Sequence, residues 1–170
     1  MTHTHDDVAC AMAHGQVPAP TQGRRLVAVF ASPVAQQLVH LAAHVGFACL
    51  VLDPAGGGDA RTAEQAGIDE HTDVVVTDHD RPELGDVLAA VLRTPARWVG
   101  VMGSPRHTAP HVAALAARGV PPEQVARVHR PIGLDIGSQS PAEIAVSTVA
   151  GLLADRNGRS GGTYREKAPT

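Results

Sequence analysis

The apolar residues of this chain follow two alternating patterns between residues 24 and 157. Short continuous apolar runs are typical of buried parallel strands, and longer stretches with apolar residues every three or four positions are typical of helices. The short runs predict strands at residues 26–31, 47–52, 74–77, 98–102 and 127–129. The periodic stretches predict helices at residues 34–45, 60–66, 82–92, 105–118, 121–126 and 141–154.

Strands that alternate with helices at this spacing predict an α/β fold, a three-layer sandwich with a mostly parallel five-stranded sheet. We expect one Rossmann-like domain at residues 24–157. Its expected strand order is 3-2-1-4-5, with a ligand crevice between the first and fourth strands. Residues 1–23 and 158–170 lack apolar periodicity, so we expect disordered tails there.

Three Ser-Pro dipeptides mark predicted helix starts that follow strands or loops: Ser32-Pro33, Ser104-Pro105 and Ser140-Pro141. A serine hydroxyl accepts hydrogen bonds from the free N–H groups of a first helical turn, and proline suits the first helical position. Such junctions lie at the carboxyl ends of the strands in an open α/β sheet, where ligands bind. The dipeptides therefore predict both the fold and the place to look for a site.

The first junction, at Ala31 and Ser32, stands where a dinucleotide-binding loop carries its glycines. Phe30 replaces the glycine of the turn, and Pro33 removes an N–H donor that would face a phosphate. We expect Ser32 to cap its own helix, although Ala31 and Ser32 stay candidates for cofactor binding. Asp53 has two interpretations: a carboxylate that accepts from ribose hydroxyls, or a loop residue that supports its turn.

The second junction contains Gly103, Ser104 and Arg106 and is a candidate phosphate site. Gly103 permits close backbone approach. The helix dipole disfavours a cation in the first helical turn unless an anion binds beside it. The alternative interpretation is an Arg106 side chain that is simply solvated.

The third junction places Gly133 and Gly137 on either side of Asp135 in an otherwise apolar loop. Such a loop can lay backbone groups against a ligand that Asp135 orients. Alternatively, Asp135 only ties the loop down by accepting from backbone N–H groups.

We predict no catalytic residue and no metal site. Asp78, His79 and Asp80 follow the third strand, and a charged turn explains them better than a metal site does. The tail histidines, such as His3 and His5, have no scaffold that would hold a metal ion. The sequence contains no G-x-S-x-G, HExxH, Walker or paired-cysteine motif.

Composition narrows the function classes further. A net charge of −3 and 2% aromatic residues offer neither the basic surface nor the stacking platforms of nucleic-acid-binding proteins. No apolar run approaches the ~20 residues of a membrane span, and the His-rich N-terminus is unlike a signal peptide. Cys10 and Cys49 lie far apart, so we expect free thiols in a cytoplasmic protein.

Two segments resemble a known family. Residues 98–106 (WVGVMGSPR) and residues 129–145 (HRPIGLDIGSQSPAEIA) are similar, in residues and separation, to the Rossmann domain of the XdhC/CoxI family. The resemblance extends over about residues 25–155. Members are accessory proteins for molybdenum hydroxylases such as xanthine dehydrogenase and carbon monoxide dehydrogenase.

This resemblance implies a non-catalytic cytoplasmic chaperone that binds the molybdenum cofactor (molybdopterin), or a related phosphate-bearing or nucleotide ligand, and a molybdenum hydroxylase client. The ligand positions that it implies are Gly103, Ser104, Arg106, Gly133, Asp135 and Gly137, with Asp53 after the second strand.

Typical members also have an N-terminal domain and a G-A-G-H-V-A first loop, where this chain has a short tail and FASPVA at residues 30–35. We therefore expect a separate partner that supplies an N-terminal-type domain, and a homodimer is a further expectation. Two other functions stay open: an NAD(P)-binding oxidoreductase, and a non-catalytic interaction module with a degenerate pocket. Neither nucleic acid nor membrane is an expected partner.

Overall fold

Each predicted apolar run forms a strand. The computed structural model describes residues 11, 14, 23–55, 63–104 and 109–162. Its strands are β1 (Arg25–Val29), β2 (Ala48–Leu52), β3 (Thr72–Val76), β4 (Trp98–Val101) and β5 (Val128–His129). Its helices are α1 (Pro33–His44), α2 (Leu84–Leu92), α3 (Pro110–Ala116), α4 (Pro122–Val125) and α5 (Pro141–Arg156).

Some predictions fall on residues that the structure does not describe. His3, His5, Cys10 and Arg106 lie outside the described residues, and so do residues 56–62. The predicted helix at residues 60–66 is therefore described only from residue 63, and residues 63–66 form turns.

The sheet confirms the predicted fold class but not the predicted strand order. All strand pairs are parallel, and the order is β2-β1-β3-β4-β5 rather than 3-2-1-4-5. The difference is the place of β3, which lies beside β1 and has all five residues buried. β2 leaves Ala48 and Val51 exposed and therefore suits the edge.

The observed strand order changes the place where a ligand crevice is expected. Because β3 separates β1 from β4, no crevice can lie directly between those two strands, and that expectation is wrong. From β1 the chain goes first to β2 on one side and then to β3 on the other. The strand order therefore reverses between β1 and β3, which is where such folds usually bind ligands.

Helices cover both faces of the sheet. Successive residues of a strand point to opposite faces, so both faces of β1 are apolar. On one face Leu26 and Ala28 pack with residues of α1 and α5. On the other face Val27 and Val29 pack with residues of α2 and with Leu115 of α3. These two clusters form the core of a three-layer sandwich.

The helix starts agree with the sequence at two of the three Ser-Pro dipeptides. The Ser32 hydroxyl accepts from the N–H of Ala35 at 3.0 Å, and Ser140 with Glu143 forms a capping box. The two backbone N–H groups that donate to Glu143 lower the pKa of its carboxyl.

The helix start predicted at Ser104-Pro105 is not the observed one, because α3 begins at Pro110 with Ala109 as its N-cap. Proline pushes the residue before it out of the helical region, and Ala109 is extended. The prediction that Ser104 caps this helix is therefore wrong.

A cluster of charges ties the amino ends of the strands together. Asp73 of β3 is fully buried, and its two carboxylate oxygens accept from Arg97 Nε at 2.6 Å and Arg156 Nε at 2.7 Å. Arg97 also contacts Asp155 at 2.6 Å, and the Arg156 guanidinium lies 5.2 Å from the Phe47 ring centre. The cluster joins β3, the segment before β4 and the end of α5.

The single tryptophan of the chain, Trp98, lies on β4 beside the edge strand β5. The ring of Trp98 lies against Gly100, where a Cβ atom would collide with it and would lie 2.8 Å from Ile132. The Trp98 ring also stacks on His129 of β5, with ring centres 5.1 Å apart and planes 8° apart. The missing side chain of Gly100 therefore allows this stack across β4 and β5.

Candidate functional site

Three loops leave the carboxyl ends of the strands. We call them the first loop (residues 30–32, after β1), the second loop (residues 102–104, after β4) and the third loop (residues 130–140, after β5). Backbone N–H groups and side chains at this end of a parallel sheet can face a ligand. The sequence-predicted site residues that the structure describes lie in these loops, apart from Asp53 after β2.

Phe30 makes the turn of the first loop in an unusual backbone conformation. Its φ is +70°, a region that favours glycine and that costs a larger residue roughly 1–2 kcal/mol. The turn rotates the fully buried Phe30 ring to the face that holds Val29. The Arg81 guanidinium lies over this ring at 4.9 Å. The strained turn is therefore held by burial of the ring and by the contact with Arg81.

The hydroxyl of Ser32 is used within the protein. Besides capping α1, it donates to Thr77 Oγ1 at 2.9 Å. The Thr77 hydroxyl in turn lies 3.0 Å from the carbonyl oxygen of Val29 and 2.9 Å from that of Phe30. This network links the carboxyl ends of β1 and β3, across the point where the strand order reverses.

Asp53 also turns inward, toward the first loop. Its carboxylate accepts from the N–H of Ala31 at 2.9 Å and from that of Ala55 at 3.1 Å, and it contacts Arg81 at 3.4 Å. Burial raises the pKa of Asp53, but these two N–H groups and the Arg81 charge outweigh it, so the pKa lies below its ordinary value. Of the two interpretations, this geometry fits the loop residue better than the ribose acceptor.

The groups of the first loop are thus engaged in contacts within the protein, including one with Asp53. Ala31 donates its N–H to Asp53, Ser32 caps α1, and Phe30 fills the turn. A dinucleotide-binding loop needs free backbone N–H groups at this place. The arrangement serves stability at β1 and leaves the other two loops as the better candidates.

The second loop is built differently. Gly103 has a φ of +155°, and a Cβ atom there would lie 2.5 Å from Nη2 of Arg130. The same Nη2 donates to the carbonyl oxygen of Ser104 at 3.2 Å. The guanidinium of Arg130 therefore lies on the surface that the glycine leaves open, so a cation from β5 reaches the end of β4.

His111 of α3 lies close to this cation. The residue is 4% exposed, and its Nδ1 has no hydrogen-bond partner among the described residues. Burial, with the charge of Arg130 as the second cause, lowers the pKa of His111 below its ordinary value. Both causes favour the neutral ring, in which one nitrogen is a donor and the other an acceptor.

The third loop rests on α5. A Cβ atom at Gly133 would lie 2.5 Å from Ser147 Oγ and 3.2 Å from backbone atoms of α5, so only glycine permits this approach. Leu134 donates its N–H to the carbonyl oxygen of Ser147 at 3.2 Å and accepts from the Ser147 hydroxyl. Gly133 thus has a packing role that brings the rest of the loop to the sheet.

Asp135 and Gly137 lie beyond this anchor. Asp135 is exposed, and within the described ranges no group donates a hydrogen bond to its carboxylate. Gly137 has a φ of +69° and open space around it, so the turn alone requires glycine there. The interpretation that Asp135 ties the loop down has no hydrogen bond to support it, and its carboxylate faces solvent at the rim.

The turn after β3 is a charged turn. The Asp78 carboxylate accepts from the N–H of Asp80 at 3.0 Å, and His79 lies 3.7 Å from the Asp80 carboxylate. No group of three or more His, Cys, Asp or Glu side chains in the described part of the chain could hold a metal ion. The arrangement therefore has the hydrogen bonds of a local turn.

The comparison with protein families decides the family. The model of the XdhC Rossmann domain matches residues 26–152, from the second residue of β1 into α5. This chain belongs to the XdhC Rossmann domain family. The match includes all five strands and the three loops.

Two known proteins are similar to this chain. YqeB, an uncharacterized protein of Escherichia coli K12, is 35% identical over 77 residues, which make up 45% of this chain and 14% of YqeB. The crystal structure of a xanthine dehydrogenase from Bacillus halodurans matches with a TM-score of 0.63 and 25% identity. That match covers 80% of this chain and 45% of the other chain. The chain thus spans less than half the length of either protein.

Among the described residues, no helix is long and apolar enough to cross a lipid bilayer.

Sequence reasoning missed two residues of this XdhC Rossmann domain, His111 and Arg130. Arg130 stands directly before Pro131 at the end of β5, which places it at the same rim as Gly103. The signal that could have found it is a cation at a strand's carboxyl end next to a glycine-rich loop. His111 follows Pro110 at a helix start and carries no such signal, because only the fold brings it near Arg130.

Proposed function

We propose that this chain acts as an XdhC-type accessory protein in the maturation of a molybdenum hydroxylase of the xanthine dehydrogenase or carbon monoxide dehydrogenase type. It would hold the molybdenum cofactor, or a related phosphate-bearing ligand, and associate with the hydroxylase. The family match over residues 26–152 supports this proposal, as does the similarity to a solved protein described as a xanthine dehydrogenase.

The observation that carries the ligand part of the proposal is the contact between Arg130 and the second loop. The contact places a guanidinium at the carboxyl end of β4, and guanidinium–phosphate pairs are strong because the hydrogen bonds are charge-assisted. Gly103, Ser104 and Arg106 would then face the phosphate of the ligand. Asp135, exposed between Gly133 and Gly137, would accept from polar groups of its head.

The first loop has no part in this binding mode. Ala31 donates to Asp53, which also accepts from Ala55, and Ser32 caps α1, so these three residues would support the rim without touching the ligand. For the same reason the NAD(P)-binding oxidoreductase is a weaker proposal, since its pyrophosphate would need the N–H groups of this loop.

Because the groups of the first loop are engaged within the protein, a second candidate function is also favoured. A Rossmann domain whose usual phosphate loop is filled can serve as an interaction module that binds a hydroxylase, or a separate N-terminal-type domain, without any small ligand. Both candidate functions include association with a hydroxylase, but only the accessory protein would also bind a small ligand.

Two measurements separate these functions. Calorimetry of the purified chain with molybdopterin should show heat of binding, and calorimetry with NADH should not. Co-expression with a xanthine dehydrogenase should recover the two proteins together. Association without molybdopterin binding would favour the interaction module, NADH binding would favour the oxidoreductase, and absence of both association and molybdopterin binding would contradict the proposal.

A variant tests whether Arg106 contributes to ligand binding. Arg106→Ala should weaken molybdopterin binding by about 1–3 kcal/mol, the range for losing a hydrogen bond to a charged group. Arg93→Ala is the matched control, since Arg93 is exposed at the end of α2, close to the amino end of β4. Equal affinity in the two variants would remove Arg106 from the site.

A further inference from the structure

A buried imidazole with an unpartnered nitrogen needs a reason. A buried polar group without a hydrogen bond destabilises the fold, so native proteins contain few of them. His111 is 4% exposed, and its Nδ1 has no partner in the part of the chain that the structure describes. A leucine at this place would fill similar space at lower cost, which indicates that the nitrogen has a use.

The surroundings of His111 favour an anion over a cation. Burial is the main cause of the lowered pKa of His111, and the positive charge of Arg130 is the second cause, so a cation lies within range of the ring. Arg130 itself lies against Gly103 and donates to Ser104 O. A second cation would be repelled here, whereas an oxyanion would find a guanidinium and an imidazole N–H as donors.

We propose that Gly103, His111 and Arg130 form a pocket for the oxyanion of a phosphate monoester or a pyrophosphate group, with Arg130 and the Nδ1–H of His111 as donors. The inference rests on the proposed function and names the side chains that would hold the phosphate of its ligand. Gly103 provides the space that the Arg130 guanidinium occupies, because any side chain there would displace it. The oxyanion would give His111 the partner that it lacks.

The first test uses the unmodified chain and two probes, inorganic phosphate and inorganic pyrophosphate. The histidine ring signals are followed by carbon–proton NMR, and the signal that His111→Leu removes identifies His111 among the 10 histidines. Each probe that binds should shift this signal and raise the pKa of His111, because an adjacent anion favours the protonated ring. An unshifted His111 signal with both probes at saturating concentration overturns the inference.

The second test compares three variants by calorimetry with pyrophosphate. Arg130→Gln should weaken binding about tenfold or more, the usual effect of losing a charge-assisted hydrogen bond. His111→Leu should weaken it several-fold without lowering the urea midpoint, whereas a residue with only a structural role would lower the midpoint and leave binding unchanged. Arg118→Gln is the control, since it removes the same charge from a pair with Asp86 on the outside of the protein.

The outcomes also separate this inference from the proposed function. Equal weakening by Arg118→Gln and Arg130→Gln would mean a general charge effect and would overturn the pocket. Should Arg130→Gln fail to fold, the His111 signal of the unmodified chain still decides. Recovery of a hydroxylase from co-expression with no response of His111 to either probe would leave the accessory function standing and remove the pocket. The reverse result would keep the pocket and remove the accessory function.

Discussion

The two ends of the sheet use charge in opposite ways. At the amino end, Asp73 is fully buried and its two oxygens accept from Arg97 and Arg156, and Arg97 also pairs with Asp155, so two carboxylates balance two guanidiniums. At the carboxyl end, Arg130 lies on a glycine surface beside an imidazole whose Nδ1 lacks a partner. Arginines paired with carboxylates stabilise a fold, whereas a cation beside a buried ring nitrogen without a partner is typical of a binding site.

The largest effect should come from breaking the amino-end cluster. Asp73→Ala should lower the free energy of unfolding by about 5 kcal/mol, the upper end for a buried ion pair, because two guanidiniums lose one partner. Urea unfolding measures this loss. Asp86→Asn serves as control, since its pair with Arg118 is exposed and the midpoint should stay nearly constant. A midpoint for Asp73→Ala equal to that of the control would contradict the assignment of this end to stability.

The turn at Phe30 offers a second test, because strain and burial oppose each other there. Phe30→Ala should cost about 3–5 kcal/mol for the lost ring. Phe30→Gly should cost about 1 kcal/mol less than Phe30→Ala, because glycine adopts the positive φ without strain. Glycine usually destabilises more than alanine, so the reversed order in urea unfolding is the diagnostic result. The usual order would mean that the turn at Phe30 is not strained.

The smallest effect should come from Asp53. Asp53→Asn should lower the free energy of unfolding at pH 7 by about 1–2 kcal/mol, because the charge-assisted bonds to Ala31 and Ala55 weaken. Since the pKa of Asp53 is lowered in the fold, its contribution is complete above the unfolded pKa of about 4 and is lost as the pH falls through the folded value. The difference between wild type and variant should therefore shrink below about pH 4. A difference that is constant with pH would show that the carboxylate charge does not act on the first loop.

Local signals explain how much of this fold the sequence predicts. Apolar runs placed all five strands within two residues of their observed starts and ends, because a strand buried on both faces has to be apolar throughout. Ser140 and Glu143 predicted the start of α5, because a capping box is complete within four residues. Such features depend on neighbours along the chain.

Most of the predictions that were wrong or incomplete concern features that depend on residues distant in the sequence. The position of β3 beside β1 follows from which strand tolerates an edge, and that is decided by packing on both faces of the sheet. The start of α3 is an exception, because the predicted start at Pro105 neglects a local signal, Pro110 inside the predicted helix. At the site, Asp53 was found by position but its inward hydrogen bonds were not. Arg130 and Gly103 meet only because β4 and β5 are neighbours.

The stack of Trp98 on His129 gives the molecule a built-in optical reporter. With a single indole in the chain, all tryptophan emission originates at the seam between β4 and β5. Emission wavelength and quantum yield therefore follow the outermost strand, while circular dichroism follows the whole molecule. Detachment of that strand ahead of global melting would be seen as two separate transitions, without any label.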